Sequence, residues 1–380
     1  MPLAAPVTST DRPASRSVMT TDVTLARVRT TEEERTTLTA VLRTHAGHCR
    51  AVGSPFYADL MELMAGEVGA GGPVAELVAP DAADPELGYR LRVLGGLHRM
   101  VLAGDAPELA RHYPTTGGDG DAGAAWTCIR DLLAEPTPAV LDALTRPPQT
   151  NEVGRSAGLV GGFLAVARDT GLPLRILELG SSAGLNLRFD SYHYEQDGAS
   201  FGDPASRVRF ENLWKGGRPP FDADCRVAER RGCDRNPIDP TTEAGRLTLL
   251  SYVWPGQVER FERLAAALAI ARVHPASVEQ ADIPDWLAEQ LRQDAVAGLA
   301  TVVFHSVVWS YLTRDEQASV ESSLRAAGER ARTEAPLAWV RLEGAPTMDH
   351  TELRLTTWPG GEERLLARAG YHGGPIDWLV

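Results

Sequence analysis

Leu174-Arg-Ile-Leu-Glu-Leu-Gly-Ser-Ser-Ala-Gly-Leu-Asn-Leu187 is the stretch on which the fold turns. Leu174 to Leu179 is an apolar run broken by Arg175 and Glu178, the pattern of a strand buried on both faces. Gly180-Ser-Ser-Ala-Gly184 follows as a small-residue turn, and Leu185, Asn186 and Leu187 are expected to open a helix. Strand, glycine turn and helix bring backbone N–H groups and a helix N-terminus to a ligand. Gly180 lets the chain turn without a Cβ clash, and Gly184 permits close approach of helix, strand or ligand. An ordinary strand–turn–helix corner without a ligand has the same outline. A dinucleotide fingerprint would require a further glycine where Asn186 and Leu187 stand.

Downstream, strands and helices alternate. Arg226 to Asp234 reads as a second strand ending in an acid, followed by the turn Arg235-Asn-Pro-Ile-Asp-Pro240. Thr241–Trp254 and Gln257–Ala271 read as helices broken at Pro255-Gly256. Ala276–Asp282 is expected as strand three, Leu299–Val308 as a buried, β-branched strand four and Leu337–Leu342 as strand five. Alternation in Glu352–Trp358 and Leu365–Arg368 around Pro359-Gly-Gly predicts a hairpin. Between the first two strands, Tyr192-His-Tyr194 and Val208-Arg-Phe210 are expected to pair as a small β insertion around 190–220.

Upstream, residues 22–168 read as helical. Thr31-Glu-Glu-Glu-Arg is a helix start, and Ser54-Pro55 opens a second helix with Phe56, Leu60, Leu63 and Met64 on its apolar face. Leu91, Val93, Leu94, Leu97 and Val101 repeat the pattern, as do Trp126, Ile129, Leu132 and Leu133, with a flexible loop at Gly117–Gly123 between them. Residues 1–21 are rich in Pro, Ser, Thr and Ala and are expected to be a disordered leader, with Met19 an alternative start. The organisation expected is a leader (1–21), a helical accessory or cap domain (22–168) and an α/β domain (169–380).

Of the 380 residues, 43% are hydrophobic and 23% charged, a composition that builds a globular core. A net charge of −13 excludes a general binder of nucleic acid or anionic membrane, because neutralising phosphates takes excess Lys and Arg. The four cysteines form no CxxC pair, which reads as reduced thiols in a cytoplasmic protein. There is no apolar run long enough to span a bilayer. His45, His48 and Cys49 have metal-like spacing but lack a second ligand cluster, so no metal is expected.

Glu178 followed by Gly180-x-x-x-Gly184 resembles the first motif of the class I S-adenosylmethionine-dependent methyltransferases, with Ser182 in place of the middle glycine. The chain is also similar, from about residue 35 to its end, to a bacterial family, domain of unknown function 2332. The segments that carry this are Thr150–Arg155, Leu177–Leu187, Gly232–Asp239, Leu249–Pro255 and Val303–Trp309. The methyltransferase resemblance implies a Rossmann-like, mostly parallel sheet with an antiparallel C-terminal hairpin, and S-adenosylmethionine as cofactor. It implies that Glu178 and the turn (Gly180, Ser181, Ser182, Gly184, Asn186) hold the amino-acid part, Asp234 the ribose and Asp282 the adenine.

His305 at the tip of strand four is the candidate catalytic base, since imidazole titrates near neutrality. Asn151, Glu152, Arg155, Ser306, Trp309 and Tyr311 are candidate substrate or pocket residues. Asn151 and Glu152 also suit a plain helix start, and Trp309 and Tyr311 suit plain packing. Methyl transfer depends mainly on positioning, so it needs no dedicated acid or base. The expected function is therefore a transferase acting on a small molecule, in a possible homodimer. The alternative is a repurposed or non-catalytic module binding a nucleotide-type metabolite or a protein partner.

Overall fold

The computed structural model describes residues 31–72, 74–75, 88–134, 136–145, 149–292 and 295–380. The leader at 1–21, Met19 included, and residues 22–30 lie outside the described residues. The described chain forms two compact units. One comprises the described part of Val7–Thr150 with Arg246–Glu262, and the other comprises Asn151–Gly245 with Arg263–Val380.

The first unit is helical. Helix α1 (Glu32–Ala51) starts at a reciprocal capping box in which Thr31 Oγ1 accepts from Glu34 N and Glu34 accepts from Thr31 N. Helix α2 (Pro55–Gly69) carries Pro55 at its first position, where no intrahelical N–H is needed. It buries Phe56, Tyr57, Leu60, Met61 and Met64, whereas Leu63 faces solvent. Helices α3 (Gly88–Ala103), α4 (Pro107–Ala110), α5 (Ala122–Ala134) and α6 (Pro138–Thr145) follow. Val93, Leu94, Leu97, Val101, Trp126, Ile129 and Leu133 join one core with the α1 and α2 residues.

The second unit is a mixed α/β structure around a large, mostly parallel nine-strand sheet. Its strands are β1 (Leu174–Leu179), β5 (Trp214–Lys215), β6 (Val227–Asp234), β7 (Ser277–Gln280), β8 (Ala300–Ser306), β9 (Leu337–Gly344), β10 (Thr351–Trp358), β11 (Glu362–Gly370) and β12 (Gly373–Trp378). Their spatial order is β5-β12-β11-β10-β9-β8-β1-β6-β7. Strands β7, β6, β1, β8 and β9 run parallel, β9 to β12 form an antiparallel meander, and β5 adds parallel to β12.

Helix α7 (Arg155–Thr170) packs on one face of this sheet and lies in the sheet unit rather than with the helices before it. It comes close because it has glycines at the contact: a Cβ on Gly158 would lie 2.8 Å from Leu342 Cδ2, and one on Gly162 2.8 Å from Val340 Cγ1. Helices α8 (Glu243–Ser251) and α9 (Val258–Val273) follow β6, with α8 from Arg246 and α9 up to Glu262 belonging to the first unit. Helices α10 (Ile283–Arg292) and α11 (Arg314–Arg330) contribute Trp286, Leu287, Val320 and Leu324 to a core with Leu177, Val303 and Trp339 on the other face.

Three local expectations change. The segment after the glycine turn is not an α-helix but a 3-10 stretch, Asn186–Ser191, interrupted by non-helical Arg188. Arg188 turns its guanidinium back onto the Gly184 carbonyl (2.6 Å) and the His274 carbonyl (2.7 Å), which fixes a bend where a regular helix would run on. The β insertion is a separate three-strand sheet in which β2 (His193–Gln196) forms its hairpin with β3 (Ala199–Gly202). Tyr192–Tyr194 and Val208–Phe210 are not its two arms, since β4 (Arg209–Glu211) pairs with β2 in parallel. The C-terminal hairpin, finally, gains a third strand, β12, whose Gly373-Gly-Pro start conceals its strand character.

Candidate functional site

The chain leaves β1 toward β6 and β7 on one side and returns to β8 on the other. The order of connection therefore reverses between β1 and β8, and their carboxyl ends flank the crevice where open α/β sheets bind ligands. Glu178 is the penultimate residue of β1 at that point.

The turn that follows is folded tightly on itself. Gly180, Ser182 and Gly184 all have positive φ (69°, 52° and 65°), so the smallest side chains stand where a larger one would be strained. Ser181 N donates to the Cys233 carbonyl (2.9 Å), Ser182 N to Asp234 Oδ2 (2.8 Å), Gly184 N to the Ser181 carbonyl (2.8 Å) and Leu185 N to Asn151 Oδ1 (2.9 Å). These amides are held by the chain itself. The space beside Gly180 is filled as well, because a Cβ there would lie 2.6 Å from Val308 Cγ2. Gly232 in β6 has the same logic: a Cβ would come within 1.9 Å of the buried Ser181 Oγ, which donates to the Glu178 carbonyl.

Glu178 is 2% exposed. Burial pushes its carboxyl up to about 8; Arg188, Arg155 and the Asn186 amide oppose that, and Asp234 reinforces it. One of its oxygens, Oε2, is buried without a hydrogen-bond partner. Asn186 Oδ1 accepts from Ser156 Oγ (2.7 Å), so α7 orients the amide that reaches Glu178.

The segment that carries the candidate pocket residues Asn151, Glu152 and Arg155 also fastens backbone. Asn151 holds the turn, Glu152 Oε1 accepts from Gly154 N (2.9 Å), and His372 Nδ1 lies 3.5 Å from Glu152 Oε2. Arg155 donates from Nε to the Tyr371 carbonyl and from Nη1 to the Ser306 carbonyl, each at 3.2 Å. The start of α7 thus ties the tip of β8 to the β11–β12 turn.

Asp234 lies at the carboxyl end of β6 and accepts from Ser182 N and Asn236 N, one bond on each oxygen. Asp282 stands apart from this cluster. It follows β7 as an exposed residue and is engaged by Arg235 Nε at 2.6 Å, while Arg235 also binds Glu316.

His305 and Glu178 do not face one another. Glu178 is in register with Phe304, so it shares the α7 face of the sheet with Phe304, whereas His305 points to the α11 face. There its ring stacks on Trp309 with centroids 5.2 Å apart and planes at 14°, and Trp339 lies 5.9 Å away. Its Nδ1 is 2.5 Å from Glu343 Oε1. Glu343 is the residue that sequence reading misses, because the apolar pattern of strand five stops at Leu342 while β9 runs on to Gly344. Ser306 is buried, Trp309 half-buried, and Tyr311 is 68% exposed.

The only group of metal-type side chains found among the described residues is His193, Glu195 and Glu211 in the small sheet. The His45 and Cys49 region of α1 supplies none. A groove of about 180 Å³ lies at the opposite, amino-terminal end of the parallel strands, lined by Arg175, Glu229, Thr301 and Leu337.

A family model described as "Uncharacterized protein conserved in bacteria (DUF2332)" matches residues 39–378. Neither the comparison with curated proteins nor that with solved structures gave a match. The match takes in both units and every residue of the fastened turn, and so the chain belongs to the DUF2332 family.

Proposed function

We propose that the sheet unit binds a small polar, amine-bearing ligand of the S-adenosylmethionine type at the β1–β8 crevice and acts as a transferase on a small molecule. The observation that carries this is the unpartnered Oε2 of buried Glu178, beside a turn pinned to Asp234, at the point where the strand order reverses. A buried carboxyl oxygen without a partner is costly to maintain, and an ammonium group would satisfy it once the carboxyl gives up its proton. The order β7-β6-β1-β8-β9, with acids at or next to the carboxyl ends of β1 and β6, also supports the methyltransferase-type Rossmann reading.

The donor set fits such a ligand in part. Glu178 would take the ammonium group. Asp234 uses two of roughly four acceptor positions of a carboxylate on backbone N–H groups and retains capacity for ribose hydroxyls. The turn amides at 181, 182, 184 and 185 are committed within the chain, so a ligand carboxylate would find its donors elsewhere. Asp282, bound to Arg235, is the weakest of the expected contacts. When bound, the cofactor would supply an electrophilic methyl group. The chain's contribution is to hold donor and acceptor in line and to exclude water.

Calorimetric titration of the full chain with S-adenosylmethionine and S-adenosylhomocysteine tests this. Binding that is lost in Glu178→Gln and Asp234→Asn supports the reading. A flat wild-type titration with both compounds removes the cofactor and favours the alternative, a repurposed module for another metabolite or a protein partner. The committed turn amides are the observation on that side.

A further inference from the structure

On the face of the sheet away from Glu178, His305 is fully buried, and its two ring nitrogens are treated very differently. Nδ1 meets Glu343 Oε1 at 2.5 Å, while Nε2 is buried with no hydrogen-bond partner. The same Glu343 carboxylate accepts from Val308 N (3.0 Å) and Trp309 N (3.3 Å). As the acceptor of this set, Glu343 requires Nδ1 to be the donor, which leaves the lone pair of the neutral ring on Nε2. His193 Nδ1 and His350 Nε2 are also buried without a hydrogen-bond partner; His305 differs in that the carboxylate on its other nitrogen is locked by two backbone amides and its ring lies between two indoles. His98 in the helical unit is equally buried, and both of its nitrogens are engaged, with the Ser251 carbonyl (3.0 Å) and Thr115 Oγ1 (2.7 Å).

The backbone around His305 is strained in the same place. Val307 has φ 52°, a left-handed conformation that a β-branched residue rarely adopts, and Glu343 secures the two amides that follow it. Trp309, half-buried, lies flat against the imidazole, and Trp339 forms a second wall whose indole carries the Arg341 guanidinium at 4.0 Å.

We propose that His305 and Glu343 form an acid–base pair, with His305 Nε2 as the proton acceptor and Glu343 as its positioning residue. Its partner is a hydroxyl, thiol or amine carried on a planar or apolar body that the Trp309 and Trp339 rings can wall. The proton passes from the substrate X–H bond to the Nε2 lone pair. X keeps the bonding electrons as the nucleophile, and Glu343 offsets the charge of the imidazolium through the Nδ1–H bond. Nε2 is buried, so access requires the wall around the imidazole, of which half-buried Trp309 is part, to open. The pair does not depend on which ligand occupies the β1–β8 crevice.

The test needs no substrate. Diethyl pyrocarbonate adds to unprotonated imidazole nitrogen, and peptide mass spectrometry of the folded full chain locates the adduct. Exposed His372 serves as the internal control. The expected result is native-state modification of His305 that accelerates in Trp309→Ala. It should slow several-fold in Glu343→Gln, whose amide no longer enforces the tautomer. ¹⁵N spectra of the imidazole should place the proton on Nδ1 in the wild type. Modification of His372 with none of His305 in the wild type or Trp309→Ala overturns the proposal. A proton found on Nε2 overturns it independently, even if Glu343→Gln fails to fold.

Discussion

Replacing Glu178 with Gln probes the most unusual electrostatic feature of the sheet unit. The carboxyl titrates near 8 in the folded chain against an ordinary glutamate value of 4.5. The raised value means that the folded state holds its proton more tightly than the unfolded state does. The Glu178 contribution is therefore most favourable below pH 4.5 and declines as pH rises through the window from 4.5 to 8, then levels off. The difference in value, 3.5, corresponds to about 5 kcal/mol at full ionisation and about 3 kcal/mol at pH 7. Gln keeps the shape and hydrogen-bonding capacity but never ionises. Urea unfolding from pH 4 to 9, followed by tryptophan fluorescence, measures the effect. Trp214, Trp286, Trp309, Trp339, Trp358 and Trp378 lie in the sheet unit, with only Trp126 and Trp254 outside it. The wild type should match the variant most closely near pH 4.5 and fall progressively behind it toward pH 8. A stability difference that stays flat across that window would falsify the desolvated-carboxyl account.

Three further outcomes follow from the geometry. If an ammonium-bearing ligand sits beside Glu178, binding at pH 7 should release about 0.9 proton, since a group titrating near 8 is about nine-tenths protonated there. Calorimetry in buffers of different ionisation enthalpy reads this number, and buffer-independent heats would argue against contact with Glu178. Gly232→Ala drives a methyl group into the buried Ser181 Oγ and should cost about 1–3 kcal/mol in urea unfolding; an unchanged midpoint would mean the turn is not packed as described. Arg155→Met removes donors to the Tyr371 and Ser306 carbonyls and should destabilise the sheet unit by about 1–3 kcal/mol. Hydrogen exchange should show the loss concentrated in the β11–β12 turn, and uniform loss across the sheet would contradict the fastening role.

Much of the fold was legible because it rests on local pattern. The buried runs at Leu174–Leu179 and Ala300–Ser306 can hardly be anything but inner strands, and Thr31 with Glu34 announces a helix start by hydrogen-bond arithmetic alone. Expectation failed where distant residues override local preference. Leu185-Asn-Leu187 has helical character, but Arg188 caps the turn carbonyls and reaches the His274 carbonyl, so the helix does not form. Tyr192–Tyr194 and Val208–Phe210 alternate like hairpin arms, but strand alternation does not encode the direction of the partner.

The candidate site shows the same division. Sequence by itself determined that Glu178 stands near the end of a buried strand before a turn of small residues, that acids stand near two further strand ends, and that His305 belongs to a fourth. Those statements need only hydropathy and the steric latitude of glycine. Only the tertiary structure decided that Glu178 and His305 occupy opposite faces, since that follows from the parallel register of β1 on β8. It also decided that Asn151 and Arg155 fasten backbone, that Asp282 is engaged by Arg235, and that Glu343 grips His305. Each of these rests on contacts between residues from about 30 to more than 200 positions apart, where side-chain geometry rather than local propensity settles which groups meet.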